Sequence, residues 1–140
     1  KIEIGAYALG KAQEVIKILN EHSIYPRVTK TIEKYNKVYE KFGIKLICDE
    51  KSKIIIRPMH ETIYNPLPNH ERAVITGWAA VRKFENAIGF EISDHLDFKG
   101  LVNFINSINP KIIYTFHGFA EIFAKELRNL GYNAFSLNSL

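Results

Sequence analysis

The stretch KIEIGAYALGKAQEVIKILN, Lys1–Asn20, decides the fold class, because it passes from a two-residue period to a 3.6-residue period within a few positions. "KIEI" alternates as a strand does, and then Ala12, Val15, Ile16 and Leu19 recur at i, i+3, i+4 and i+7, as on an amphipathic helix. Between the two lie Gly5 and Gly10-Lys11, at the spacing with which a P-loop wraps its amides around a nucleotide. The next residue breaks that match: Ala12 has no hydroxyl for magnesium. The stretch is therefore predicted to be a strand-to-helix turn whose glycines need another explanation.

The same alternation continues. Tyr25–Thr29 is predicted as a short strand and Lys30–Phe42 as a helix with Ile32, Tyr35, Val38, Tyr39 and Phe42 on its apolar face. Lys30, Lys34, Lys37 and Lys41 lie on the opposite face of that helix. "KIIIRP" reads as a strand, "MHETIYNPLPNHER" as a loop on account of its prolines and asparagines, and Val74–Trp78 as another strand. Then come an apolar stretch over Ala87–Ile92, a helix over Phe98–Ile108, the strand "KIIYTF", a helix over Phe119–Leu130 and the strand "NAFSL". Gly131 stands where a helix ends in a left-handed residue. Strands alternating with helices of this length predict an α/β fold with a largely parallel sheet covered by helices.

Composition bounds the partners. At 140 residues and 46% hydrophobic content the chain can bury a core. No apolar run approaches the roughly 20 residues of a membrane span, so no membrane partner is expected. The single cysteine, Cys48, excludes an internal disulfide and fits a reducing compartment, with the cytoplasm the expected location. The chain starts at Lys1, already in strand-like alternation and without a signal-peptide pattern, and reads as a piece of something longer. Residues 1–60 hold 12 Lys+Arg against 7 Asp+Glu, whereas residues 61–140 hold 7 against 8. A basic half either meets an anionic partner such as nucleic acid or merely solubilises a helix surface.

Of the histidines, His22, His60 and His70 read as solvated. His95 and His117 each fall after a predicted strand and before a predicted helix, where α/β sheets bind ligands, and are expected in neighbouring loops of one sheet edge. Asp94 and Asp97 flank His95; either can orient its imidazole, and Asp97 is equally placed to cap the following helix. A zinc site needs at least three protein ligands, and the chain has no CxxC, HExxH or HxHxDH.

Three stretches, "YALGKAQE", "SDHLDFKGLVNFI" and "IIYTFHGFAEIFAKELRNLGYNA", resemble in order the carboxyl-terminal half of the β-CASP nucleases of the metallo-β-lactamase fold. The likeness is greatest to prokaryotic exonucleases and messenger-RNA 3′-end processing factors, and it spans nearly the whole chain. It implies that residues 1–80 are part of the inserted β-CASP domain and 81–140 the return to the metallo-β-lactamase domain. It also implies that the helix start at Gly10 is no nucleotide loop, although Lys11 there remains a possible phosphate contact. His95 matches the histidine that protonates the leaving oxygen, and His117, followed by Gly118, matches one that completes a two-zinc site. Position 96 departs from the pattern, with Leu where the family has a small residue.

The resemblance thus implies a zinc-dependent nuclease fragment acting on RNA, in RNA processing or decay, inactive without the amino-terminal half that carries HxHxDH. Its partners would be that half, RNA contacted by the lysine stripe, and a second copy in a homodimer. Rival readings are a non-catalytic nucleic-acid-binding or dimerisation module, a DNA exonuclease of the same fold, and a Rossmann-like nucleotide-binding domain.

Overall fold

The computed structural model describes residues 1–93 and 95–139, the last without its side chain. The chain divides into two compact units, Lys1–Ser93 and Asp94–Leu140.

The first unit is built on β1 (Ile2–Ala6), β2 (Arg27–Val28), β3 (Ile54–Pro58), β4 (Glu71–Ile75) and β5 (Ile88–Phe90). They pair in the order β2-β3-β1-β4-β5, every pair parallel, with Ile4 opposite Ile56 on one side and Ala73 on the other. The expected α/β fold with a largely parallel sheet is what the chain adopts. Three helices accompany these strands, α1 (Lys11–Glu21), α2 (Lys30–Lys41) and α3 (Met59–Tyr64).

Alternation along the strands sends successive side chains to opposite faces. Ile4, Ala6, Ile56 and Ile75 form one face and pack with Ala12, Val15 and Ile16 of α1 and Ile32 of α2. Glu3, Gly5 and Arg57 form the other, against α3. Helices leaving β1 and β3 thus go to opposite faces, and these strands are neighbours. That divergence opens a crevice at their carboxyl ends, the place where open α/β sheets bind ligands.

Gly5 owes its identity to α3. A Cβ there would lie 2.9 Å from the Cβ of Thr62, so only glycine lets the short helix lie this close to β1. The buried face of α3 is held by charge: Glu3, fully buried, accepts from Arg57 at 2.5 Å and from the amide of Leu67 at 2.9 Å. Arg57 also donates to Glu61 at 3.0 Å and to the carbonyl of Asn65 at 3.0 Å. The network ties β1, β3, α3 and the segment after α3 together.

Three sequence expectations are corrected in this unit. "MHETIYNPLPNHER" is not all loop: α3 follows Pro58 directly, and β4 begins at Glu71. The helix is too short to show a 3.6-residue period, and Pro66 and Pro68 masked it. The strand expected over Val74–Trp78 ends at Ile75, because Thr76 turns the chain into a 3-10 turn over Gly77–Ala80. The apolar face of α2 is rotated: Ile32 and Asn36 are buried, whereas Tyr35, Val38 and Phe42 are exposed. Asn36 is drawn inward because it accepts from the Gln13 amide at 2.9 Å and donates to the Cys48 sulfur at 3.8 Å.

The second unit holds α4 (Phe98–Ile108), β6 (Ile113–Thr115), α5 (Ala120–Asn129) and β7 (Ala134–Ser136), with β6 and β7 paired in parallel as a sheet of their own. Ile105, Ala124, Leu127 and Ala134 make its core. Gly131 ends α5 as expected: at φ +92° it lets its amide donate to Arg128 and that of Tyr132 to Leu127, the Schellman arrangement.

Candidate functional site

The P-loop look of the opening stretch dissolves in the structure. Gly10, at φ +84°, ends the turn after β1, and its amide donates to Gln13 Oε1 at 2.8 Å. The Gln13 amide donates back to the Ala8 carbonyl at 3.1 Å. Lys11 is buried and its ammonium is paired with Glu14. The Gly10 amide and the Lys11 ammonium are thus engaged within the chain.

The crevice between β1 and β3 is nevertheless real. A cavity of about 280 Å³ there is lined by Tyr7 and Ala8 after β1, Thr31 of α2, and Pro58, Met59, His60 and Glu61 at the end of β3. A neighbouring cavity of about 470 Å³ shares Met59 and His60 and continues past Ile63, Tyr64, Trp78, Val81, Arg82 and Phe84. A third, of about 490 Å³, adds Arg72 and Lys83. The first two hollows lie at the carboxyl ends of β1, β3 and β4, whereas the third, lined by Arg72 near the start of β4 and by Glu85, Asn86 and Ala87 just before β5, extends from the second beside α3; together their lining is aromatic and basic. Sequence reading treated His60 as a solvated loop residue and overlooked Tyr64 and Trp78. The available signal was the strand "KIIIRP" running straight into "MHETIY", which places those side chains at a strand's carboxyl end.

Trp78 is held firmly yet presented to solvent. Its amide donates to Thr76 Oγ1 at 3.3 Å, and its carbonyl accepts from Val81 and Arg82 at 3.1 and 2.9 Å. The residue as a whole remains 58% exposed. The Arg82 guanidinium lies 5.8 Å from the centre of the Phe84 ring. Among the described residues Arg72, Arg82 and Lys83 form no ion pair with a carboxylate.

The sequence-predicted residues lie elsewhere. Asp94 falls outside the described residues. Asp97 caps α4, its Oδ1 accepting from the Gly100 amide at 2.7 Å. His95 and His117 are both exposed in the second unit. His117 sits at φ +67° and Gly118 at φ +54°, so the chain turns sharply from β6 toward α5 through left-handed backbone. The two histidines are expected after neighbouring strands of one sheet; among the described residues β5 pairs with β4 in the five-stranded sheet, and β6 pairs with β7 in a separate one. A three-residue β5 cannot reveal its partner from its own apolar pattern. Among the described residues no group of three or more His, Cys, Asp or Glu converges as a metal site requires. The resemblance itself implies only an incomplete zinc site in this chain, with His117 as its ligand and the remaining ligands in the amino-terminal half.

Of the lysine stripe, Lys30, Lys34, Lys37 and Lys41 are all exposed on α2, and Lys37 pairs with Glu33 at 3.0 Å. Cys48 is exposed as a residue, but its sulfur is tucked against Asn36, and burial pushes the thiol pKa up, with Glu40 and Glu33 adding to the rise. No helix among the described residues is long and apolar enough to cross a membrane.

Against known proteins, the chain is 32% identical to a probable DNA ligase of Opitutus terrae, over 94% of its own length and 14% of that protein's. The chain thus spans about one seventh of the relative it matches. No protein-family model and no solved structure matches it. The likeness overturns the expected RNA nuclease and its place in RNA processing or mRNA 3′-end processing: the relative is named for joining DNA, not for cutting RNA.

Proposed function

We propose that this chain is a DNA-engaging segment of an enzyme of DNA-ligase type, meeting DNA along the carboxyl edge of its first unit. The observation that carries the proposal is the identity to the probable DNA ligase, which runs through 94% of the chain. Because the chain corresponds to only 14% of that relative, the proposal concerns engagement of DNA and not the joining reaction as a whole. Charge supports it: the stripe on α2 and the cations around Arg82, which form no ion pair among the described residues, offer what a phosphate backbone attracts. The β-CASP resemblance stands beside this as a proposal about architecture, in which the chain is completed by an amino-terminal metallo-β-lactamase half. Zinc has no part in the proposal.

The test is competition. A fluorescently end-labelled DNA strand bound to the chain is displaced by unlabelled DNA or by RNA of the same sequence, with anisotropy as the readout. The proposal expects DNA to displace the probe at clearly lower concentration than RNA. Equal or better displacement by RNA, or no binding of the labelled strand, would overturn it.

A further inference from the structure

The hollow beyond His60 has features that a general attraction to phosphate does not require. Trp78 and Tyr64, 58% and 81% exposed, line it from two elements, the 3-10 turn after β4 and the end of α3. Large rings left in water with a fixed backbone are what a stacking platform needs, since little freedom is lost when a flat partner lands on them. The turn bearing Trp78 is fixed from beneath as well: a Cβ on Gly77 would lie 2.9 Å from Ser93 Oγ, so the turn packs tightly at that point. The cavity, about 470 Å³, falls within the range of roughly 300–1,000 Å³ typical of small-ligand sites. Arg82 lines it, and the adjoining hollow, which shares Ile63, Tyr64, Arg82 and Phe84 with it, adds Arg72 and Lys83 against one lining acid, Glu85. Aromatic faces beside cations that form no ion pair among the described residues distinguish a site for an unstacked, negatively charged strand from an apolar protein contact.

We infer that this cleft binds an unpaired nucleotide of a DNA strand, with the base stacked on the Trp78 indole and the flanking phosphates held by Arg72, Arg82 and Lys83. This deepens the DNA-engagement reading and rests on it. A duplex keeps its bases stacked on each other, so the site selects single-stranded DNA, such as a frayed end, a gap or an overhang. Sequence preference is expected to be slight, because every base offers a π-face.

The chain supplies its own probe, since Trp78 is its only tryptophan. Titration with a thymidine 12-mer, followed both by anisotropy of an end label and by intrinsic fluorescence, separates binding from stacking. The inference expects quenching of Trp78 in step with binding, and weaker binding of a blunt duplex. Trp78→Ala is expected to weaken the 12-mer by about 5- to 150-fold, while Trp78→Phe, which keeps a ring, retains most of the affinity. Arg82→Ala is expected to lower the slope of log K against log salt by about 0.7, the single-strand value for one lost phosphate contact. Trp78 is exposed, so these variants should keep the parent's circular dichroism; Tyr64→Ala gives a second reading from another element. Binding by anisotropy without quenching, and with Trp78→Ala at parent affinity, would overturn the cleft while leaving DNA engagement intact. Full competition by tripolyphosphate at matched charge would show recognition of phosphate alone and overturn stacking. No binding of any DNA strand would overturn both readings.

Discussion

Replacing Glu3 by glutamine tests the ionic clamp that sets α3 against the sheet. Glu3 is fully buried on β1, and both its oxygens are used, by Arg57 at 2.5 Å and by the Leu67 amide at 2.9 Å. Glutamine keeps one acceptor and turns the other into a donor. If the carbonyl faces Arg57, the new NH₂ meets the Leu67 amide, donor against donor; if it flips, the NH₂ meets the guanidinium. Breaking a buried pair from one side costs about 3–5 kcal/mol. Arg57 retains Glu61 at 3.0 Å and the Asn65 carbonyl at 3.0 Å, so the lower end applies, about 3 kcal/mol. For a unit of this size each kcal/mol shifts Tm by about 4–8 °C, so a drop of about 12–24 °C is expected in thermal melts followed by circular dichroism. The double variant Glu3→Leu/Arg57→Leu should cost less than the sum of its singles, because it leaves neither charge buried alone. A loss below about 1 kcal/mol for Glu3→Gln, or strict additivity in the double, would refute the clamp.

Three further outcomes are expected. Gly5→Ala places a methyl 2.9 Å from Thr62 and should destabilise by about 1–3 kcal/mol in urea unfolding; a neutral result would mean that α3 is not held close to β1. Asp97→Ala should cost about 0.5–2 kcal/mol and Asp97→Ser little, since serine also caps; a large loss in both would assign Asp97 another role. Cys48 should alkylate more slowly than free glutathione at pH 8, because its raised pKa leaves less thiolate, and the gap should narrow as pH rises. Faster alkylation than glutathione would contradict the burial of its sulfur.

The parts of the fold legible in the sequence are those where one period persists. Ala12, Val15 and Ile16 announced α1 and are buried; Asp97 and Gly131 marked the ends of α4 and α5 through local chemistry that needs no tertiary context. What stayed hidden depends on distant partners. Asn36 turns inward only because Gln13 and Cys48 wait there, from 23 and 12 positions away. The buried Glu3 reads as the polar half of an alternating strand, although Arg57, 54 positions on, draws it into the interior. The candidate site was missed for the same reason: α3 is short, it follows a proline, and its Tyr64 gains meaning only beside Trp78, which another strand supplies. The sequence drew attention to His95 and His117 instead, through their resemblance to a family whose RNA chemistry the likeness to a DNA ligase does not support.

Hydrogen exchange read by mass spectrometry, with and without the thymidine 12-mer, tests the central claim most directly, because it reports every segment at once. DNA engagement along the carboxyl edge of the first unit predicts slower exchange over residues 59–64 and 76–84 in the bound chain, with little change over 113–120. Protection confined to the β6–α5 turn around His117, or no protection at residues 59–64 and 76–84, would contradict it.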